Sequence, residues 1–116
     1  MPNILVVDDS LDNLSLMSEF IHGLGYRCRF ATSGEMAYEI ISTETFDLII
    51  SDYHMANGDG LWLLQKLKNT LGAPKCIIVS SDPELDSEFL IGQGAATYLT
   101  KPIDWVELKN EIDRLV

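Results

Sequence analysis

The feature that most constrains this chain is the recurrence of short, unbroken apolar runs separated by longer stretches with helical spacing. Ile4-Leu5-Val6-Val7, Leu48-Ile49-Ile50 and Cys76-Ile77-Ile78-Val79 carry no polar side chain at any position. A strand with one wet face alternates, so a run without a polar face is covered on both sides, and that requires a parallel sheet between two helical layers. Cys28-Arg29-Phe30-Ala31 and Ala96-Thr97-Tyr98-Leu99 complete the set of strand candidates. Between the runs, Leu14, Met17, Ile21 and Leu24 form one apolar stripe, Leu61, Leu64, Leu67 and Leu71 another, and Leu108, Ile112 and Leu115 a third. The alternation predicts an α/β fold, a (βα)5 doubly wound parallel sheet with right-handed crossovers and helices on both faces.

Boundary residues agree with this reading. Ser33 stands where an N-cap belongs, Asp82 followed by Pro83 predicts the start of a helix, and Asp104 with Glu107 resembles a capping box. Gly25, Gly72 and Gly92 fall where helices should stop. The 116 residues suffice for one well-buried core, and there is no repeat, low-complexity run or linker. One domain spanning residues 1–116 is therefore expected, with nothing attached.

Charge narrows the partners. Eighteen acidic against eight basic residues give a formal net charge of −10, which repels a nucleic-acid backbone and an anionic membrane face. No direct nucleic-acid contact and no membrane association are expected. No apolar run reaches the roughly 18 residues needed to cross a bilayer, and Met1-Pro2-Asn3 leads into a strand without a basic leader, so a cytoplasmic location is expected. Cys28 and Cys76 lie far apart in apolar segments, which predicts buried free thiols rather than a metal site.

In open α/β sheets the ligand site lies outside the carboxyl ends of the strands, where strand order reverses. The polar residues that follow the strands all fall there: Asp8 and Asp9 after the first, Asp52 after the third, Ser80 and Ser81 after the fourth, Lys101 and Pro102 after the fifth. With the first and third strands adjacent, three carboxylates converge, and two unit charges about 4 Å apart repel by ~4 kcal/mol near a protein surface. Lys101 supplies one positive charge. The surplus suits a hard cation held by few carboxylates and several waters, and Mg2+ fits best. A metal beside a carboxylate, faced by an ammonium and a hydroxyl, is a set of parts for phosphoryl transfer: Lys101 and the cation offset charge, Ser80 donates a hydrogen bond, and a carboxylate oxygen attacks in line. Asp52 is the best nucleophile by position, because it stands alone on the central strand while Asp8 and Asp9 form a paired acidic edge.

Four segments carry a family resemblance that covers the whole chain. Val6-Val7-Asp8-Asp9, Asp52-Tyr53-His54-Met55-Ala56-Asn57-Gly58-Asp59-Gly60, Val79-Ser80-Ser81 and Gly94-Ala95-Ala96-Thr97-Tyr98-Leu99-Thr100-Lys101-Pro102 resemble the signature blocks of response-regulator receiver domains in two-component signalling. The resemblance implies a CheY-like, flavodoxin-like sheet of order 2-1-3-4-5. It implies that Asp52 accepts a phosphoryl group from a histidine kinase or a histidine phosphotransfer protein, and that Asp9, Asp52 and the main-chain carbonyl of His54 ligate Mg2+, with Asp8 acting mostly through water. It makes Ser80 and Tyr98 a switch pair acting on a protein-binding surface of the fourth helix, fifth strand and fifth helix, and it places a cis peptide before Pro102. Such a domain is regulatory rather than an enzyme, catalysing only its own phosphorylation and dephosphorylation, and its output goes to an effector protein or a fused output domain. The chain departs from the family pattern at three places: Ala56 stands where proline is usual, Ser81 where alanine is commoner, and Ala96-Thr97 where paired acids mark the subfamily with a shared dimer face.

Simpler readings exist for each residue alone. Asp8 and Asp9 could end a strand, Asp52 could cap the next segment, and Lys101 could be a surface lysine; joint placement argues against this. His54 is expected to point to solvent over the site, flanking it with Asp82 and tuning the access of water to the acyl phosphate. His22 reads as a helix-surface residue, and Trp62 and Trp105 as packing residues near helix starts. Other functions fit less well. A flavin mononucleotide site needs a hydroxyl- and amide-rich first loop, and Asp8-Asp9 would repel its phosphate. A phosphatase of the haloacid dehalogenase type needs a second acid two residues after the nucleophile, where this chain has His54. A docking-only pseudo-receiver would lack an acid or the lysine.

Overall fold

A computed structural model describes residues 2–116. The elements run β1 (Asn3–Val7), α1 (Leu11–Gly23), β2 (Arg27–Ala31), α2 (Gly34–Ile41), β3 (Leu48–Asp52), α3 (Gly60–Lys68), β4 (Lys75–Ser80), α4 (Ser87–Gly92), β5 (Thr97–Thr100) and α5 (Trp105–Leu115). All strands pair in parallel, in the order β2-β1-β3-β4-β5. The apolar runs are split between two layers by the pleat. Ile4, Val6, Ile50, Ile77 and Val79 pack with Leu14, Met17 and Ile21 of α1 and Leu108 and Ile112 of α5. Leu5, Val7, Ile49, Cys76 and Ile78 pack with Ala37 of α2, Leu63, Leu64 and Leu67 of α3 and Leu90 of α4. Both faces are dry, which is why β1, β3 and β4 show no alternation.

Ser33 caps α2 by accepting from the Met36 N–H, and Asp104 caps α5 by accepting from the Val106 and Glu107 N–H groups. Gly25 takes the left-handed conformation just beyond α1 (φ 91°), as a helix stop of this kind requires.

Four expectations are corrected. Asp82-Pro83 does not open α4. The Asp82 side chain accepts from the Glu84 N–H at 2.8 Å, a local turn that competes with helix initiation, and α4 begins after Asp86, which accepts from the Glu88 N–H. The α3 stripe does not reach Leu71, which is fully exposed. Asn69 and Thr70 bond back to the carbonyls of Gln65 and Lys66 and end the helix a turn early, so Leu63 rather than Leu61 completes the buried face and Gly72 lies beyond the helix end. Gly92, by contrast, is the last residue of α4 as expected, and the left-handed turn after it falls on Gly94 (φ 109°). Cys76 is a buried free thiol, whereas Cys28, on the edge strand, is only partly buried. Among the described residues no helix is long and apolar enough to cross a membrane.

Candidate functional site

Register places the polar strand ends at one rim. Val7 pairs with Ser51, Asp52 with Val79, and Ser80 with Thr100, so Asp8, Asp52, Ser80 and Lys101 arrive at adjacent levels of neighbouring strands. Main-chain bonds extend the sheet through this rim: Asp8 N–H to Ala31 O, Tyr53 N–H to Val79 O and Lys101 N–H to Ser80 O, each 3.0 Å. Asp8, Asp9 and Asp52 each offer a carboxylate oxygen, and these oxygens lie within 4.8 Å of one another. Lys101 Nζ stands 3.3 Å from Asp52 Oδ1 and 3.8 Å from Asp8 Oδ2. The Lys101-Pro102 peptide is cis.

The acids are not equivalent. Asp8 is buried and Asp9 exposed. Asp8 Oδ1 accepts from the Ser10 N–H at 2.9 Å, and Oδ2 from the Asn13 side-chain amide at 3.3 Å. Asp52 Oδ1 accepts from the Tyr53 N–H at 3.0 Å. Burial raises the Asp52 carboxyl above its ordinary value, and the Asp8 charge adds to this, while Lys101 and the Tyr53 N–H offset part of it. An acid under that strain is relieved by a nearby cation. The oxygen-only donor set, its spacing and its excess negative charge fit a hard divalent ion of the Mg2+ kind.

The loop after β3 is held from the side. Gly34 N–H donates to Gly58 O at 2.8 Å and Glu35 N–H to Asn57 O at 3.0 Å, so the first turn of α2 satisfies its free donors with the loop that carries His54. Asn57 (φ 60°) and Gly58 (φ 97°) are both left-handed. A Cβ on Gly34 would lie 2.4 Å from Gly58 O. Sequence reasoning missed this clamp and the Asn13 amide. The Asn57-Gly58 pair was a turn signal, but nothing local links it to Gly34.

Ser80 is buried, and its Oγ accepts from the Asp82 N–H at 3.0 Å. Tyr98 Oη is buried without a hydrogen-bond partner. Burial and then the Asp82 charge raise the Tyr98 phenol, and the neighbouring Ser80 hydroxyl offsets part of this without reaching hydrogen-bond geometry. His54 points to solvent, and its Nε2 lies 2.7 Å from Asp82 Oδ2. The Glu84 N–H and His54 hold the Asp82 carboxyl below its usual range. Trp105 packs against Phe20 in a tilted pair, with ring centroids 4.7 Å apart and 45° between the planes. It lines a cavity of about 300 Å³ that opens between α1 and α5 onto Asp8, Asp52 and Lys101.

Residues 4–113 match the family described as "Response regulator receiver domain". The chain belongs to the response-regulator receiver family. This receiver domain is the phosphoacceptor element of two-component signalling. It is 30% identical over 113 residues to the transcriptional regulatory protein ZraR of Escherichia coli (strain K12), covering 97% of this chain and 26% of ZraR. It is also 30% identical over 110 residues to the sensor histidine kinase RcsC of Salmonella typhi, covering 94% of this chain and 12% of RcsC. The chain thus spans about a quarter or less of these relatives. Among solved structures, the receiver domain of the Francisella response regulator 1452 superposes with a TM-score of 0.92 at 28% identity, covering 99% of this chain and 96% of that one. The response regulator TrrA of Thermotoga maritima, solved in complex with Mg(2+)-BeF, gives 0.91 at 28% identity with complete coverage of both chains. Receiver domains are regulatory, generally bind Mg2+ and imply a histidine kinase upstream.

Proposed function

We propose that Asp52 is the phosphoacceptor, and the observation that carries the assignment is the Lys101 ammonium 3.3 Å from Asp52 Oδ1 at the rim shared with Asp8 and Asp9. An Asp52 carboxylate oxygen attacks the phosphorus of a phosphohistidine on a histidine kinase or a histidine phosphotransfer protein. The P–O bond forms as the P–N bond breaks, and the leaving imidazole nitrogen keeps the electron pair and later takes a proton. Lys101 orients Asp52 beforehand and offsets charge on the transferred group. Ser80 donates to a phosphoryl oxygen. Asp9, Asp52 and the His54 main-chain carbonyl would hold Mg2+, with Asp8 acting through water. The bound ion would supply neutralisation of developing negative charge. The likeness to a receiver carrying Mg(2+)-BeF and the mutual spacing of the three acids support this ligand set.

Phosphorylation adds nearly two negative charges beside Lys101 and Ser80. Drawing Ser80 inward lets Tyr98 repack and changes the surface of α4, β5 and α5, which an effector protein or a fused output domain reads. The shift is one of populations. Residues 1–116 form this one domain, it acts in the cytoplasm, and its own chemistry is limited to accepting the phosphoryl group and losing it to water.

The deciding experiment is a brief exposure to acetyl phosphate and Mg2+, followed by intact-mass measurement. Wild type gains one phosphoryl group, stable to acid and labile to base, and Asp52→Asn gains none. No gain on wild type, or an equal gain on Asp52→Asn, refutes the assignment.

A further inference from the structure

Asp82 lies outside the acidic rim and is a hub of three contacts. Its N–H donates to Ser80 Oγ at 3.0 Å, its Oδ1 accepts from the Glu84 N–H at 2.8 Å, and its Oδ2 lies 2.7 Å from His54 Nε2. The first contact fixes where the Ser80 hydroxyl sits. The third ties the loop after β4 to the loop after β3, across 28 positions of sequence. Resting on the proposed role of Ser80, an inward movement of that hydroxyl must either break its bond to the Asp82 N–H or carry Asp82 along. His54 resists the second course, because it anchors the Asp82 carboxylate to the far loop.

We propose that His54 and Asp82 are positioning residues, a side-chain clasp that restrains the Ser80 hydroxyl at the Asp82 N–H and so disfavours the phosphoryl-bound state. The clasp sets the threshold for activation. It acts through Ser80 and touches no reacting atom.

The pair is partly exposed, with side-chain exposures of 60% and 26%, so its release has a modest effect, about two- to fivefold in an equilibrium constant. The probe is beryllofluoride with Mg2+, a phosphoryl mimic, titrated calorimetrically into wild type, His54→Ala, His54→Gln, Asp82→Ala and the double variant. Each His54 substitution keeps the main-chain carbonyl. Opening the clasp in His54→Ala tightens beryllofluoride binding by about two- to fivefold. His54→Gln, whose amide can donate to the same carboxylate, restores the wild-type constant. In the Asp82→Ala background, His54→Ala has no further effect.

The sign separates this from plain electrostatics. Losing a polar, protonatable neighbour would leave anion binding unchanged or weaker, and either result in His54→Ala overturns the clasp while leaving the phosphoacceptor assignment intact. A wild-type chain that binds no beryllofluoride with Mg2+ removes both. Tightening that persists in full when Asp82 is already alanine also overturns it.

Discussion

The charge crowding at the rim makes a prediction whose sign is unusual for a proposed phosphoacceptor: Asp52→Asn stabilises the metal-free protein. The Asp52 side chain is 14% exposed. An Asp8 or Asp9 oxygen at up to 4.8 Å repels its charge by ~3–4 kcal/mol at an effective dielectric constant of about 20, with the exposed Asp9 screened toward ~1 kcal/mol. Lys101 at 3.3 Å returns ~5 kcal/mol on the same scale. These terms nearly cancel, and the desolvation of a buried carboxylate, several kcal/mol in principle, decides the balance, in accord with the raised Asp52 carboxyl. Asparagine keeps the shape and an acceptor for the Tyr53 N–H. A gain of about 1–2 kcal/mol at neutral pH is expected once partial relaxation is allowed for. The pH dependence follows from the same sign. A raised folded value means that the folded state holds the proton more tightly, so the penalty is absent below the ordinary carboxylate range. It opens as pH rises toward the folded value and is complete above it. Urea denaturation of both proteins in chelator and in Mg2+ provides the assay. Mg2+ at about 100 times its dissociation constant adds ~2.7 kcal/mol to wild type and less to the variant, which has lost a ligand, so the gap narrows or reverses. An Asp52→Asn protein that is less stable than wild type in chelator, or a gap that widens with Mg2+, refutes the reasoning.

Other outcomes follow from individual contacts. Lys101→Met removes the cation shared by Asp8 and Asp52 and should cost about 1–3 kcal/mol in chelator while abolishing acetyl phosphate labelling; intact-mass measurement and urea melts check both. Gly34→Ala forces a Cβ against Gly58 O and should cost roughly 1–3 kcal/mol, with Mg2+ affinity falling as the loop bearing His54 shifts. Tyr98→Phe deletes a buried hydroxyl without a partner and should leave stability unchanged or raise it by about 1 kcal/mol. Tyr98→Ala should leave Asp52 labelling nearly intact while weakening effector binding, and equal loss of both would contradict its place in the switch.

Much of the molecule was legible in one dimension because its signals are local. Dry strands announce themselves as runs without alternation, capping residues such as Ser33 and Asp104 act within three positions of themselves, and the rule that sites lie at strand carboxyl ends needs only strand order. That rule alone points to Asp8, Asp9, Asp52, Ser80 and Lys101 as candidates, and the structure brings them to one rim. Local signals also misled where two competed: Asp82-Pro83 has the composition of a helix start, yet the Asp82 carboxylate closes a turn on Glu84 instead. Asn69 and Thr70 end α3 before its leucine period does.

What tertiary structure alone decided are contacts between segments distant in sequence. The Asn57-Gly58 carbonyls meet the first turn of α2, His54 meets Asp82, and Tyr98 Oη is left buried without a partner. The reason is physical. A cap or an apolar run is selected by its own neighbours, whereas the energy of a cross-loop bond depends on how two independently packed elements are brought together by the sheet, and no single stretch of the chain carries that information.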